Sequence, residues 1–339
     1  VHAAGSRIGR RPDVSQPTPD HAILQQAADW YAQLAGQPDD HVLRQAWQQW
    51  HAQHEQHRQA WQFVERVSQR FAPLHDDAED AGQTLDQLRR QGIERRRLMR
   101  GLAAITGVGF LGALAWRPLL REPLLAWQAD LRSNVGEIVE RRLADGTRLW
   151  LASDSAVDVR FDDRQRVLRL YRGEVLVSTA SDPRPLLLHT AQGSLQPLGT
   201  RFSVALEDPV THLEVFEGRV LARCAGSSEQ QEVPAGSAIS FDTRTFTAAL
   251  PASPAREAWS RGVLLAEDIE LSRFVAELGR YRRGYLGLDP ALRHLKIMGT
   301  FPLHDTDQAL AMLERTLPVK VHRRLPWWVS IEPLEASAG

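Results

Sequence analysis

One uncharged stretch, Gly101–Trp116, constrains the fold more than any other feature, because the chain carries helical patterns before it and mostly strand patterns after it. As a helix with a rise of about 1.5 Å per residue it reaches roughly 24 Å, which is less than the ~30 Å hydrocarbon core of a bilayer. The stems of Arg100 and Arg117 can lie in the apolar zone while their heads reach water, which extends the span to Leu98–Leu120. We therefore predict a transmembrane helix at residues 98–120. The alternative is a helix buried in the core of a soluble protein.

The arginines that flank this stretch predict its orientation. Six lie between Ala81 and Arg100, and three lie between Arg117 and Gly136. Because positive side chains stay on the cytoplasmic side of a membrane, we expect the residues before the span to be cytoplasmic and those after it to be exported. Arg95 and Arg96, followed one position later by two apolar residues, also fit a twin-arginine export signal. Plain anchoring by an arginine cluster explains them equally well.

Composition excludes several classes of protein and site. The 339 residues are enough for two or three domains, and the net charge of -1 gives no overall field that would attract nucleic acid. The single cysteine, Cys224, excludes an intramolecular disulfide and a metal site with several cysteines. The spacing of His51, His54 and His57 drifts around a helix, which indicates a solvated face rather than a zinc site. We expect neither a metal nor a cofactor.

The segment before the membrane span predicts a small all-α bundle. Residues 1–19 contain prolines and glycines without periodicity, and we expect a disordered tail there. Within residues 20–97, apolar stripes at helical spacing begin at Asp20, at Asp39 or Asp40, and at Glu55, and a weaker one runs from about Asp80 to Arg97. The stripes predict a tryptophan-rich core. A marginal fourth helix favours a surface that a partner helix completes.

After a spacer at residues 121–134, the apolar pattern changes to a period of two. Roughly ten short strands separated by turn signals predict an all-β domain at residues 135–242, and periodicity does not distinguish a sandwich from a solenoid. Residues 243–262 contain Pro251 and Pro254 with little pattern, which predicts a linker. Residues 263–334 have the order β-α-β-β-α-β-β, which predicts a small α+β domain with two helices on a sheet.

Short motifs occur in order along these blocks. The bundle contains Ala27-Ala28-Asp29-Trp30, Trp47-x-x-Trp50 and Gln56-His57-x-x-Ala60-Trp61. The β domain contains Leu143-Ala144-Asp145-Gly146-Thr147-x-Leu149-x-Leu151, Arg172-Gly173-Glu174-Val175, Leu198-Gly199-Thr200-x-Phe202-Ser203-Val204 and Val215-x-Glu217-Gly218-x-Val220. Around one membrane crossing, these motifs resemble the FecR family of bitopic regulators, the anti-sigma factors of iron-siderophore signalling. The last block, with Ile297-x-Gly299-x-Phe301 and Ala309-Leu310-x-x-Leu313, looks like the short N-terminal domain of secretins and TonB-dependent receptors.

The resemblance implies a signalling protein of the bacterial inner membrane, with its N-terminus in the cytoplasm and its C-terminus in the periplasm. The domain at residues 20–97 would bind an extracytoplasmic-function sigma factor through a region that contains Trp30, Trp47, Trp50 and Trp61. The domain at residues 263–334 would contact the signalling domain of a siderophore-loaded TonB-dependent receptor through a region that contains Ile297, Gly299, Phe301, Leu310 and Leu313. Periplasmic and intramembrane proteases would relay the signal, and no direct nucleic acid contact is expected.

The resemblance also implies one chemical step, although we do not expect an enzyme. Members of the family can break their own chain at a Gly-Thr peptide, and Gly199-Thr200 occupies the matching position. The Thr200 hydroxyl would attack the Gly199 carbonyl carbon, and water would then hydrolyse the ester. A threonine hydroxyl is a poor nucleophile, so a distorted peptide or a nearby base is required. The alternative is that Gly199 turns the chain and Thr200 begins a strand.

Two other functions are compatible with this sequence. The first is a membrane-anchored periplasmic module that binds a glycan or a secretion complex and has no sigma factor partner. The second is an anchored enzyme, which is disfavoured because the sequence contains no nucleophile elbow, phosphate-binding loop or metal-ligand spacing.

Overall fold

The computed structural model describes residues 20–71, 126 and 128–334. The predicted tail at residues 1–19, the predicted fourth helix, Arg95 and Arg96, and the predicted transmembrane helix at 98–120 lie outside the described residues. Among the helices that are described, none combines the length and the apolar character needed to cross a membrane. The membrane span therefore stays a prediction.

The amino-terminal bundle consists of α1 (His21–Gly36), α2 (His41–Gln53) and α3 (Glu55–Phe71). The Asp20 side chain accepts a hydrogen bond from Ala22 N, and the Asp40 side chain accepts from Val42 N and Leu43 N. Each aspartate thereby satisfies backbone donors that the first turn of a helix leaves without partners. Asp40, and not Asp39, is the cap of α2.

Small side chains let α1 and α3 approach closely. Ala27, Ala28 and Ala60 are fully buried, and Leu24 and Val64 fill the space beside them. Tryptophan side chains surround this centre, as the apolar stripes predict.

The all-β prediction is confirmed, and the structure selects a sandwich, because two seven-stranded sheets enclose one apolar core over residues 131–251. The first sheet contains, in spatial order, β1 (Leu131–Arg132), β4 (Ala156–Phe161), β5 (Arg166–Arg172), β7 (Leu186–His189), β8 (Gly193–Pro197), β11 (Arg219–Cys224) and β12 (Gln230–Pro234). The second contains β14 (Leu250–Pro251), β13 (Ser237–Phe241), β10 (Val210–Glu217), β9 (Arg201–Glu207), β6 (Glu174–Ser178), β3 (Arg148–Leu151) and β2 (Val139–Arg142).

The sandwich extends beyond residues 135–242 at both ends. Within the predicted spacer, β1 pairs antiparallel with β4, and within the predicted linker, β14 pairs antiparallel with β13. The pattern missed both because a two-residue strand is too short to show a period of two.

The carboxyl-terminal domain has the predicted order of strands and helices. Its elements are β15 (Val263–Glu270), α4 (Leu271–Gly279), β16 (Tyr285–Leu288), β17 (Lys296–Pro302), α5 (Thr306–Thr316), β18 (Val319–Leu325) and β19 (Trp328–Pro333). The strands form two sheets instead of one: β15 pairs with β17, and β19 lies between β16 and β18. The helices join the two sheets, since α4 contacts β15, β16 and β17 while α5 contacts β17 and β18.

The segment at residues 243–262 is ordered rather than an unstructured linker. Besides β14, it contains a 3-10 helix at Pro254–Arg261, in which Trp259 is buried. Pro251 lies in an edge strand and Pro254 in the first turn of the helix, where a missing backbone N–H costs little. Trp150 and Leu176 of the sandwich belong to the same apolar cluster as the carboxyl-terminal core, so the two domains pack as one unit.

Partly buried ion pairs cross the same junction. Arg280 Nη1 lies 2.7 Å from Glu174 Oε2, and Glu174 Oε1 accepts a hydrogen bond from Ser203 Oγ at 3.0 Å. Arg256 pairs with Glu214 of the sandwich and with Glu277 of α4. The arginines outweigh the effect of burial on Glu277, which by itself would raise its pKa, and hold that pKa below its usual value.

The bundle packs against the sheet formed by β16, β18 and β19. Arg324 Nε lies 2.7 Å from Asp29 Oδ1, and the ring centroids of Tyr31 and Trp327 are 5.5 Å apart. Phe63 contacts Trp328 edge to face. The helical face that makes these contacts, with Gln25, Asp29, Tyr31 and Phe63, is called the aromatic face of the bundle below.

Candidate functional site

The predicted cleavage peptide lies where the chain passes from one sheet to the other. Gly199 and Thr200 connect β8 of the first sheet to β9 of the second. Gly199 is exposed and Thr200 is only 4% exposed, so this peptide bond passes from the surface into the interior. Gly199 has a φ of 68°, a left-handed conformation that glycine adopts without strain and that other residues rarely adopt.

The Thr200 hydroxyl is the unusual group of this peptide. Its Oγ1 is buried and has no hydrogen-bond partner among the described residues, which is costly for a hydroxyl. The backbone on either side is well held, because Thr200 N donates to Thr179 Oγ1 at 2.8 Å and Thr200 O accepts from Thr179 N at 3.0 Å. The backbone of the predicted nucleophile is therefore held in place, while within the described part of the chain no base or other group is hydrogen bonded to its hydroxyl.

Two more connections between the sheets meet at this peptide. Thr179 follows β6, where the chain leaves the second sheet, and Gly218 lies between β10 and β11. Gly218 has a φ of 73°, and a Cβ placed on it would lie 2.3 Å from Gly199 O. Only glycine allows this close approach, so the Glu217-Gly218 motif is packed directly against the predicted scissile carbonyl.

The Asp145-Gly146-Thr147 motif is hydrogen bonded to the residue that follows Thr179. Thr147 Oγ1 donates to Asp145 Oδ2 at 2.7 Å and accepts from Ala180 N at 3.2 Å. Arg166 Nη1 lies 2.6 Å from Asp145 Oδ2, and both side chains are buried. Burial raises the pKa of Asp145, but hydrogen bonds from Thr147 and Arg166 outweigh it, so that the pKa lies below its usual value. The carboxylate thus stays charged and holds the segment next to Thr179.

An open cleft of about 610 Å³ borders the exposed side of the peptide. Its lining includes Thr179, Arg184, Gln196, Leu198 and Gly199. Water can therefore reach the Gly199 side of the bond while the Thr200 hydroxyl lies on the dry side. In this arrangement the Thr200 hydroxyl can attack the carbonyl from the buried side, and water from the cleft can hydrolyse the ester in a later step.

The four tryptophans of the predicted sigma-binding region gather in the bundle. Trp30 lies against Trp50, with ring centroids 6.3 Å apart, and Trp47 lies against Trp61 at 4.8 Å. Trp50 and Trp61 are 9% exposed and the other two are half-buried. These tryptophans pack within the bundle. The side chains of its aromatic face make the contacts with the sheet formed by β16, β18 and β19.

Of the three histidines spaced three residues apart, His57 in α3 has a structural role that the sequence did not predict. His57 is buried, its ring stacks on Trp50 with centroids 4.4 Å apart, and its Nδ1 lies 2.6 Å from Trp50 O. The prediction of a solvated face is therefore wrong for His57. No group of residues suited to hold a metal ion occurs among the described residues.

The predicted receptor-binding residues lie mostly in the core of the carboxyl-terminal domain. Ile297, Phe301, Leu310 and Leu313 are 3% exposed or less. Only Gly299 remains partly exposed, on β17. The outward positions of β17 belong instead to Lys296, Met298 and Thr300, and Met298 is 74% exposed.

Sequence reasoning missed Thr179, Arg166 and Arg280. Each acts through a contact with a motif residue that is far away in the chain, and none belongs to a motif itself. The burial of Arg166 could not be predicted from the sequence, because an arginine that begins a strand after a turn is ordinarily solvated.

Two family models match the chain. The model of the FecR protein matches residues 129–221, and a domain of unknown function, DUF4880, matches residues 25–67. The FecR match contains all the residues that converge on the Gly199-Thr200 peptide, and the DUF4880 match spans most of the bundle.

Similar folds occur among solved structures. Two crystal structures of a putative anti-sigma factor from Parabacteroides distasonis ATCC 8503, at 2.50 and 1.65 Å resolution, are 19% identical to this chain. The alignments cover 60% of this chain and 97% and 98% of those chains, with TM-scores of 0.49 and 0.50. At this identity the likeness concerns the fold alone. No curated protein matches the chain. The motifs, their convergence in the sandwich and the two family matches agree, and over residues 129–221 the chain is similar to the FecR protein family.

Proposed function

We propose that this protein regulates an extracytoplasmic-function sigma factor from the bacterial inner membrane. The observation that carries the proposal is the order of parts in one chain: a DUF4880 match, an uncharged stretch flanked by arginines, and a FecR match. The bundle binds the sigma factor in the cytoplasm, residues 98–120 cross the membrane, and the sandwich and carboxyl-terminal domain lie in the periplasm. The protein is a regulator and not an enzyme with an external substrate.

The contact between the bundle and the carboxyl-terminal sheet bears directly on this topology. A bilayer at residues 98–120 would place Asp29 and Arg324, which pair in the structure, on opposite sides. In the proposed topology an inserted chain does not make this contact, and both faces are free for partners. Each face is aromatic, and aromatic side chains are enriched among residues that dominate binding energies. We propose that a sigma-factor helix covers the aromatic face of the bundle.

Co-purification of the sigma factor with the detergent-solubilised full chain tests this proposal. Phe63→Glu and Asp29→Arg are each expected to weaken binding by about tenfold or more, which is typical of changes at the centre of an interface. Val42→Glu is the control, because Val42 is 77% exposed on α2 and touches neither side of the aromatic face. If no sigma factor co-purifies with the parent chain, the protein is instead an anchored periplasmic binding module.

We propose that the receptor's signalling domain adds a strand to β17. Within the described residues, β17 pairs with β15 on one side only, and its outward residues include Met298. An unpaired strand edge is a template for another strand. Because Trp150 and Leu176 of the sandwich pack into the core of the carboxyl-terminal domain, receptor binding there acts on the whole periplasmic part. Periplasmic and intramembrane proteases then release the bundle.

We propose that the chain cuts itself between Gly199 and Thr200. The buried, unpartnered Thr200 hydroxyl and the left-handed Gly199 support this proposal. The test is a denaturing gel of the parent and of Thr200→Ala. Two fragments in the parent and an intact Thr200→Ala chain are expected. The same pattern in both would exclude self-cleavage by this residue.

A further inference from the structure

Thr179 makes all the hydrogen bonds that the structure shows to the backbone N and O atoms of Thr200. Its Oγ1 accepts from Thr200 N at 2.8 Å and donates to Thr200 O at 3.2 Å, and its own N donates to that carbonyl at 3.0 Å. Thr200 N is the nitrogen of the peptide bond that self-cleavage would break. A hydroxyl group therefore lies at hydrogen-bond distance from the leaving nitrogen.

The chemistry of the step places a demand on that nitrogen. Thr200 Oγ1 forms a bond to the Gly199 carbonyl carbon, the bond from this carbon to Thr200 N breaks, and the hydroxyl proton ends on Thr200 N. The products are an ester and a free amine, which together contain the same atoms as the original peptide and hydroxyl. During this change the nitrogen loses its amide resonance and develops a lone pair that needs a hydrogen-bond donor.

We propose that Thr179 is a positioning residue for this rearrangement: its hydroxyl holds Thr200 N in place and turns its proton toward the nitrogen as the lone pair forms. Loss of amide resonance lets the nitrogen become pyramidal and turn its own N–H away from Thr179 Oγ1, and the proton now directed at Thr200 O then rotates about the Thr179 side-chain bond toward the new lone pair. This inference rests on the self-cleavage proposed above.

The surroundings keep the Thr179 hydroxyl in this position. Thr179 follows β6, whose last residue Ser178 pairs with Arg201 immediately after Thr200. On its other side, Ala180 N donates to Thr147 Oγ1 at 3.2 Å, and Thr147 is held by Asp145, which in turn pairs with Arg166. Side chains that are held by a second layer of hydrogen bonds position reacting groups most accurately. The function of the Asp145-Gly146-Thr147 motif would therefore be to hold the segment that carries Thr179.

Substitution of Thr179 in the full chain tests the inference. Thr179→Val keeps the shape and removes the hydroxyl, Thr179→Ala removes it without the branched side chain, and Thr179→Ser keeps it. We expect fragments to appear about 100-fold more slowly in the first two variants, the lower end of what a group positioned for proton transfer contributes, and at nearly the parent rate in Thr179→Ser. Thr211→Val is the matched control, because it removes a buried hydroxyl at the opposite end of β9 and β10 and should be cut at the parent rate.

Hydroxylamine, which cleaves esters, identifies the step that is slowed. Intact Thr179→Val should show no extra hydroxylamine-sensitive chain, because formation of the ester is what it impairs. Full-length Thr179→Val that accumulates as hydroxylamine-sensitive ester would overturn the inference, and so would cleavage of both Thr179→Val and Thr179→Ala at the parent rate. Equal slowing in Thr211→Val would overturn it as well, since loss of any buried hydroxyl would then suffice. A parent chain that stays whole would overturn the proposed self-cleavage and this inference with it.

Discussion

At the scale of single residues, the candidate site depends on contacts that few other side chains could make. Gly218 lies against the carbonyl of Gly199, and a buried pair, Asp145 and Arg166, fixes the segment that carries Thr179. The first requires the absence of a side chain and the second requires one specific charge pair. Substitutions at these positions therefore separate the effect of backbone strain from the effect of a lost contact.

Gly218→Ala should both destabilise the chain and change the rate of cleavage. A φ of 73° costs an alanine about 1–2 kcal/mol, and the added Cβ would lie 2.3 Å from Gly199 O, so the scissile carbonyl has to move. Gly236→Ala is the matched control, because Gly236 has a φ of 78° with nothing within 4 Å of the added Cβ. Thermal unfolding and gel assays compare the two. Cleavage of Gly218→Ala at the parent rate would show that the contact between Gly218 and the Gly199 carbonyl does not affect cleavage.

Asp145→Asn should make the chain less stable at neutral pH by about 3 kcal/mol, since it leaves Arg166 buried without its main charge partner. The pKa of Asp145 is lowered in the folded chain, so its contribution is present above the unfolded pKa and is lost as the pH falls through the folded value. The gap between parent and variant should therefore close in acid below about pH 4. Denaturant unfolding from pH 7 to pH 3 measures it.

The exposed pair of Glu140 and Arg148 supplies the comparison for that experiment. Both side chains are about half exposed, and surface pairs contribute about 0–1 kcal/mol. Glu140→Gln should therefore leave the unfolding free energy nearly unchanged. A gap for Asp145→Asn that is constant with pH would contradict the charge-pair account.

At the scale of elements, the sequence predicted helices, caps and strands well, but it did not predict which distant residues meet in the fold. The caps at Asp20 and Asp40 and the order of the carboxyl-terminal elements follow from short-range patterns. The meeting of Thr179, Gly199 and Gly218 does not, because it depends on which strands are neighbours across two sheets. The burial of Ile297 and Phe301 shows a related limit, since a motif that builds a core and one that binds a partner have the same apolar residues.

Strand pairing predicts that the two fragments of a cut chain stay associated under native conditions. After a cut at Gly199-Thr200, β9 remains paired with β6 of the first fragment, and β8 remains paired with β11 of the second. The fragments should therefore elute together in native size exclusion and separate only after denaturation. Elution of a free fragment 200–339 from a folded sample would show that these ladders do not hold the halves together.

At the scale of the whole molecule, the proposed function requires the two halves of the chain to lie in different compartments. The bundle and the carboxyl-terminal sheet contact each other in the structure through Asp29, Arg324 and aromatic rings. The arginine distribution around residues 98–120 predicts that a bilayer lies between them. Signalling through a sigma factor needs the second arrangement, because the bundle has to be cytoplasmic while the receptor is reached from the periplasm.

Cysteine labelling in intact cells with a permeable outer membrane is the most direct measurement of this claim. Val42→Cys and Met298→Cys place thiols at positions that are 77% and 74% exposed, one on each half, while the native Cys224 is buried. With a maleimide that does not cross the inner membrane, we expect Met298→Cys to be labelled at once and Val42→Cys only after the inner membrane is disrupted. Labelling of both at the same rate in intact cells would place the halves in one compartment and contradict the account.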